Sequence, residues 1–327
     1  MAFPVKQPNP QKSSRYIQTL WSISVIFLLL PTMISLAARL HWTFDLLTSF
    51  HVQYALGLLP IACLLLVKKH WVKGGILLVG LSYNLFLILP VYFPAVQSTT
   101  SGHSLRLMVT NVWSSNRQHE KLLHLIREES PDLVLALEVN DAWMRALREL
   151  TDEYPYQQNF ARPDNFGIVL FSKYSFEESE ILELGDRRLP SVFGKIVLKD
   201  GATVSLIGTH SLPPKGRAAD FRNQQLSEVA NFAANQSGHV VLCGDLNVTP
   251  WSPHWDNLLK QSKLKDSRQG FGIQPSWPAG NRLLRIPIDH VLVSDQIKVN
   301  NRRIGPRIGS DHLPVIVDLG IPAERKF

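Results

Sequence analysis

Hydrophobic residues are distributed unevenly along the chain. Three long apolar runs, at about residues 17–38, 46–67 and 74–93, are followed from about residue 104 by shorter apolar blocks between polar segments. A helix of roughly 20 apolar residues can cross a bilayer, so residues 1–95 are expected to form a membrane anchor of three transmembrane α-helices. Pro31, Pro60 and Pro90 fall within or near the ends of these runs, where membrane helices tolerate proline. Trp21, Trp42, Trp71 and Tyr92 fall near the expected interfaces, as an aromatic belt would. His51 and Gln53 read as interfacial groups or as bonds to a neighbouring helix. Residues 96–103, Val-Gln-Ser-Thr-Thr-Ser-Gly-His, are small and polar and predict a linker.

Beyond the linker, the pattern alternates between strand-like and helix-like periods. Strands are expected at 105–112, 133–137, 167–171, 192–198, 204–208, 240–243, 288–293 and 313–319. Helices are expected at 119–129, 142–150 and 218–234, the last with Phe221, Leu226, Val229 and Phe232 facing a core. Many short strands with few helices predict a layered α/β or α+β domain over 104–320, with a tail at 321–327.

Charge changes the picture in one respect. Of a formal net charge of +7, the first hundred residues hold seven Lys or Arg against one acid, Asp45, which leaves the rest nearly neutral. Lys6, Lys12 and Arg15 precede the first run, and Lys68, Lys69 and Lys73 flank the loop after the second. The positive-inside rule then places the N-terminus and that loop in the cytoplasm and the C-terminal domain on the extracytoplasmic side of the cell membrane. A cleaved signal peptide ending at Ser35-Leu36-Ala37 is the rival reading of the first run, and it leaves the domain on the same side. The basic excess lies away from the domain that would bind a ligand, so it is weak support for nucleic acid. Cys63 and Cys243 both read as small buried hydrophobes without a disulfide.

Candidate chemistry lies where apolar strands end. Asn111 follows Leu107-Met108-Val109-Thr110, Glu138 follows Leu133–Leu137, and His210 follows Ile207-Gly208-Thr209. Asp245 and Asn247 lie in Gly244-Asp245-Leu246-Asn247, Asp289 and His290 in Ile288-Asp289-His290-Val291, and Asp311 and His312 in Gly309-Ser310-Asp311-His312-Leu313-Pro314. Acids converging at one rim repel each other unless a cation neutralises them. Oxygen ligands without a Cys/His cluster favour Mg²⁺, with Mn²⁺ as the other choice.

These segments, in this order, resemble the motifs of the endonuclease/exonuclease/phosphatase superfamily across about residues 104–320. The resemblance implies a DNase I-like fold, a four-layered α/β sandwich, here as a membrane-anchored member. It also implies a metal-dependent phosphoester hydrolase in which Glu138 holds Mg²⁺ with Asp311 and Asn111. Asp245 would deprotonate the attacking water, with Asn247 orienting it or the phosphate. His312 would bond a phosphate oxygen with its tautomer fixed by Asp289, and His210 would be a second phosphate-binding or proton-donating group. Many members carry Gln before the metal-binding Glu, where this chain has Leu137. His290 and Ser310 neighbour the site and read as packing or backbone hydrogen-bonding groups, and Arg222 and Gln225 as surface or structural. The stretches Pro250-Trp251-Ser252-Pro253-His254-Trp255 and Pro275-Ser276-Trp277-Pro278 read as packed loops or as a rim for a lipid or a base.

Anchor and near-neutral domain together favour a membrane lipid or lipid-linked phosphate, pyrophosphate or phosphodiester as substrate, because tethering raises effective concentration. Nucleic acid is the less favoured partner, cleaved in the alternative reading by an extracytoplasmic endonuclease or exonuclease. A noncatalytic, membrane-tethered binding module is the third reading, and the complete set of acids, Asn and His speaks against it.

Overall fold

The apolar blocks of the C-terminal region become the central strands of two sheets, while the apolar runs of the N-terminal region become a separate group of helices. The computed structural model describes residues 10–94 and 102–323; Lys6, the expected linker at 96–101 and the tail at 324–327 lie outside the described residues. Two compact units result, Met1–Ile88 and Leu89–Phe327.

In the first unit, α1 spans Pro10–Ser35, α2 Trp42–Thr48, α3 His51–Val67 and α4 Trp71–Ile88. The three-helix transmembrane anchor is corrected here. Among the described residues, only the helical stretch Trp71–Tyr92 is by itself long and apolar enough to cross a membrane, with mean hydropathy 1.9. The expected second crossing is broken into α2 and α3, bent by 61°, and would count only if that pair made a single span. His41 accepts from Thr43 N at the start of α2, and Thr48 Oγ1 donates to the Asp45 carbonyl at 2.6 Å near its end, just before the break. Alone, the 17 residues of α3 reach only about 25 Å, short of a hydrocarbon core of about 30 Å. The apolar part of the first run, Trp21–Ser35, is shorter still. With the count of three crossings lost, the multi-pass, integral-membrane assignment and the extracytoplasmic placement of the domain lose their support, because both depended on counting spans. His51 does bond a neighbouring helix: its Nδ1 lies 2.6 Å from Asn84 Oδ1 on α4.

The second unit holds two six-stranded sheets. The first contains β1 (Gly102–Asn111), β2 (Leu133–Leu137), β3 (Tyr156–Phe160), β4 (Ile168–Ser172), β11 (Lys298–Ile304) and β12 (Val315–Pro322), in the order β11-β12-β1-β2-β4-β3. The second contains β5 (Phe176–Leu184), β6 (Leu189–Val197), β7 (Thr203–His210), β8 (His239–Asp245), β9 (Lys265–Asp266) and β10 (Asp289–Val293), in the order β5-β6-β7-β8-β10-β9. Each sheet is built around one parallel pair, β1 with β2 and β7 with β8. A helix crosses over between the strands of each pair, α5 (His119–Glu129) in the first and α7 (Arg217–Ala234) in the second.

Period-two alternation assigns each central strand to two cores at once. On β1, Leu105, Leu107 and Val109 face the space between the sheets, where they meet Leu135, Val204 and Val241. Met108 faces the other way, toward Leu122 and Ile126 of α5 and Trp143 of α6 (Asp141–Leu147). On the far side, Ile207 and Leu242 pack under Leu226 and Val229 of α7 and under Trp255 and Leu258 of α8 (Pro253–Ser262). Helices, sheet, sheet and helices make the expected four-layered α/β sandwich. Strands covered on both faces read as continuous apolar runs, which is why the central ones were legible.

None of the four edge strands, β3, β5, β9 and β11, was expected. They are polar, and β5 carries Glu177, Glu178, Glu180 and Glu183; such charge keeps an edge from pairing with another chain and erases its strand signature. Helix α8 was also missed. Ser252 caps it by accepting from His254 N, with Pro253 at its first turn, and Trp255 is buried against the His290 ring at 4.2 Å. From Pro253 onward that stretch is a packed helix. Both cysteines are free; Cys243 is buried as expected, whereas Cys63 is exposed.

Candidate active site

Strand register gathers the polar residues at one end of the sandwich. In the first sheet, Asn111 ends β1 opposite Leu137, so Glu138 follows directly at the end of β2. In the second, His210 ends β7 beside Asp245 at the end of β8, and Asp289 begins β10 beside Asp245 from the other side. His210, Asp245 and Asp289 therefore stand in a row across three adjacent strands. Gly244 lets the row form: its φ is +141°, and a Cβ there would lie 1.9 Å from the Thr209 carbonyl oxygen. Glu138 and Asn247 turn out of their strands with left-handed φ of 62° and 47°, a conformation that costs about 1–3 kcal/mol in a non-glycine residue.

Hydrogen bonds join the two sheets at this rim. Asn111 Nδ2 donates to Glu138 Oε1 at 2.9 Å and to Asp245 Oδ2 at 3.2 Å. The same Asp245 oxygen lies 3.5 Å from Nε2 of both His210 and His312. Asp245 Oδ1 accepts from Asn247 N at 3.1 Å, and Asn247 Nδ2 donates to the Ser211 carbonyl at 2.8 Å. His312 Nδ1 is 2.8 Å from Asp289 Oδ2. Asp311, next to His312, accepts from Trp277 Nε1 at 3.0 Å.

Burial and these pairings set unequal charge states. Burial raises the Asp245 carboxyl to about 7, partly opposed by His312. His210 is pushed down to about 4 by burial and by the charge of His312, so its ring is neutral. Burial disfavours the cation of His312 as well, but Asp289 and Asp245 outweigh it and lift that imidazole to about 10. For Asp289, burial opposes the anion, yet the charge and hydrogen bond of His312 hold the carboxyl below its ordinary value. Glu138 is raised, first by burial and further by Asp311, against the bonds from Asn111 and Ser114 N.

A divalent cation fits this donor set. Asp245, Asp289 and His312 each offer a ligand atom within 4.8 Å of the others, and the buried Asp289 Oδ1 has no hydrogen-bond partner. Residues 108–312 match the Endonuclease/Exonuclease/phosphatase family. The chain belongs to that family. As an Endonuclease/Exonuclease/phosphatase family member with a site able to hold a divalent metal, it is a metal-dependent hydrolase of phosphoester bonds.

No curated protein matches the chain. Among solved structures, an endonuclease/exonuclease/phosphatase from Bacteroides vulgatus is 19% identical, with a TM-score of 0.58 over 67% of this chain and 99% of its own. TDP2 from D. rerio, solved in complex with single strand DNA product, is 16% identical, with a TM-score of 0.56 over 66% of this chain and 99% of its own. An endonuclease/exonuclease/phosphatase from Beutenbergia cavernae is 19% identical, with a TM-score of 0.55 over 68% of this chain and 73% of its own. At these identities the likeness shows the fold. The ranking of nucleic acid below lipid is corrected by the second comparison, since a protein of this fold was solved holding DNA. The ranking had leaned on the anchor and on net charge, and charge averaged over a domain does not report the charge at its mouth.

In this family member, several residues outside the expected set hold the site in place. Ser310 Oγ donates to the Asn111 carbonyl at 2.7 Å and accepts from His312 N at 3.0 Å, tying two site residues together. Arg222 is buried, not on the surface, and its Nη1 donates to the Asn247 carbonyl at 2.8 Å. Gln225, also buried, donates to Thr209 Oγ1 and to the His210 carbonyl. His290 is a packing group: Nε2 is 2.8 Å from the Val248 carbonyl. Leu137 faces the core between the sheets. Trp277 was singled out only as part of a Pro- and Trp-rich stretch; no sequence signal linked it to Asp311.

Proposed function

We propose that this protein hydrolyses phosphodiester bonds of a nucleic-acid strand, with residues 104–320 as its catalytic domain. The observation that carries the reading is Asp245 Oδ2, faced by Nε2 of His210 and His312 at 3.5 Å each and by Asn111 Nδ2 at 3.2 Å. A single carboxylate oxygen is thus surrounded by donors that a phosphoryl group can share. Support for a strand as substrate comes from TDP2 of D. rerio, which has the same fold and was solved with single strand DNA product.

Asp245 takes the proton of the attacking water, a task suited to a group titrating near neutrality. Asn247 orients the water or the phosphate. His312, cationic through Asp289, donates from Nε2 to a nonbridging oxygen, and neutral His210 donates a second bond. Glu138 and Asp311, with Asn111, are the proposed holders of Mg²⁺, or of Mn²⁺ in its place; their mutual repulsion is what a cation would relieve. Asp245, Asp289 and His312 form the other group able to hold the ion, in which case the His312 ring would have to give up a proton to offer its lone pair. When bound, the ion would neutralise charge on the phosphoryl oxygens.

The test gives purified full-length protein and Mg²⁺ a single-stranded oligonucleotide, a polyprenyl pyrophosphate or a phosphodiester lipid. Strand cleavage that exceeds lipid turnover and stops on chelation is expected. Lipid turnover with the DNA left intact overturns the proposal.

A further inference from the structure

The loop joining β9 to β10 and the loop joining β11 to β12 meet beside Asp311. Trp277 Nε1 donates to Asp311 Oδ2 at 3.0 Å, Ala279 N to the Asp311 carbonyl at 2.7 Å, and Leu313 N to the Ser276 carbonyl at 3.0 Å. A little further along, the first loop carries Arg282 and Arg285, and the second carries Arg307 just before the Gly309-Ser310-Asp311-His312 turn.

These arginines are neighbours. A Cβ added at Gly280 would lie 3.9 Å from Arg307 Nη2, and the Arg285 cation is disfavoured by burial and then by the charges of Arg282 and Arg307. Arg285 is fastened to its own loop, with Nη2 donating to the Ala279 carbonyl at 2.7 Å and Nε to the Pro278 carbonyl at 3.3 Å. Arg282 and Arg307 are exposed, and among the described residues neither forms an ion pair with a carboxylate. Between Arg282 and Arg285, Leu283 and Leu284 are also exposed, by 75% and 51%.

Like charges held together on two loops repel, and an anion between them turns that repulsion into attraction. Guanidinium groups suit phosphate in particular, because their forked donors match two of its oxygens. The neighbouring leucines offer an apolar surface to a sugar or a base. We propose that Arg282, Arg285 and Arg307 bind a phosphate flanking the scissile one. The active site then selects a strand of consecutive phosphates over an isolated phosphodiester. This inference rests on the nucleic-acid reading given above.

The experiment uses the full chain with Mg²⁺ and the double variant Arg282→Ala/Arg307→Ala, leaving Arg285 to hold the loop. Hydrolysis of bis(p-nitrophenyl) phosphate, which has a single phosphate, reports the bare catalytic centre. An oligothymidylate is measured both as a substrate and as a competitive inhibitor of that hydrolysis. The double variant is expected to hydrolyse the small diester at the wild-type rate while its inhibition constant for the oligonucleotide rises about tenfold. Losing the contact to that one phosphate should also flatten the dependence of log affinity on log salt by about 0.7, the change per neutralised phosphate on a single strand. An unchanged inhibition constant, or an equal loss on both compounds, overturns the subsite. An oligonucleotide that inhibits wild type but is never cut overturns the nucleic-acid function instead, so the two failures are distinct.

Discussion

His210 and His312 are the same residue type a few ångströms from the same carboxylate oxygen, yet one is neutral and the other cationic. Asp289 makes the difference, because it bonds His312 Nδ1 at 2.8 Å while among the described residues no carboxylate bonds Nδ1 of His210. Asp289→Asn should therefore lower turnover of a phosphodiester by about 10²–10³-fold, the usual cost of losing one aligned charge-stabilising donor. The same variant should leave the Mg²⁺ concentration for half-maximal activity little changed. Glu138→Gln should do the reverse and raise that concentration at least about tenfold, as expected for a direct ligand. A larger metal shift in Asp289→Asn than in Glu138→Gln would move the ion to the Asp245, Asp289 and His312 group. Asn111, Glu138, Asp245 and His312 could be singled out in the sequence, because each follows or adjoins an apolar strand run. Trp277 and Arg222 could not be assigned to the site, since a lone Trp or Arg has the same appearance whether or not it touches a site residue.

At the scale of elements, strand ends carry the candidate site residues and polar strands protect the edges. β9 is the smallest of these edges, paired with β10 only through Leu292 with Asp266 and Val293 with Lys265. Its end is fastened by Arg268, whose guanidinium lies against both oxygens of Asp266 and 5.7 Å from the Trp255 ring. Burial opposes the Asp266 anion, but Arg268 prevails and holds its carboxyl below the ordinary range. A depressed carboxyl stabilises the fold fully above its unfolded value of about 3.9, and that contribution is lost as pH falls through the lower folded value. Asp266→Asn, which leaves a buried Arg268 without its partner, should cost about 3 kcal/mol at pH 7. Thermal melts of both proteins should show the gap narrowing toward pH 3; a gap independent of pH would contradict the pairing.

At the scale of the molecule, the described hydrophobic cores of the sandwich are built from residues at and beyond Leu105. The segment leading into them is held locally, with Gly270 N donating to the Val91 carbonyl at 2.8 Å. A fragment beginning at Leu89 should therefore unfold in one cooperative transition by calorimetry and keep its Mg²⁺-dependent turnover of a small phosphodiester. Loss of the cooperative transition would mean that the helices of residues 1–88 are needed for the domain to fold.

The sequence by itself determined the central strands, the order of the catalytic segments and the family, because burial on both faces writes continuous apolar runs and chemistry requires particular residue types at their ends. It overcounted the membrane helices, because hydropathy sums composition and is blind to the bend at Ser49 and Phe50 that divides one run into two helices. Only the tertiary structure decided which histidine is charged, which side chains brace the site and that three arginines from two loops stand together, since each depends on distances between residues far apart in the chain.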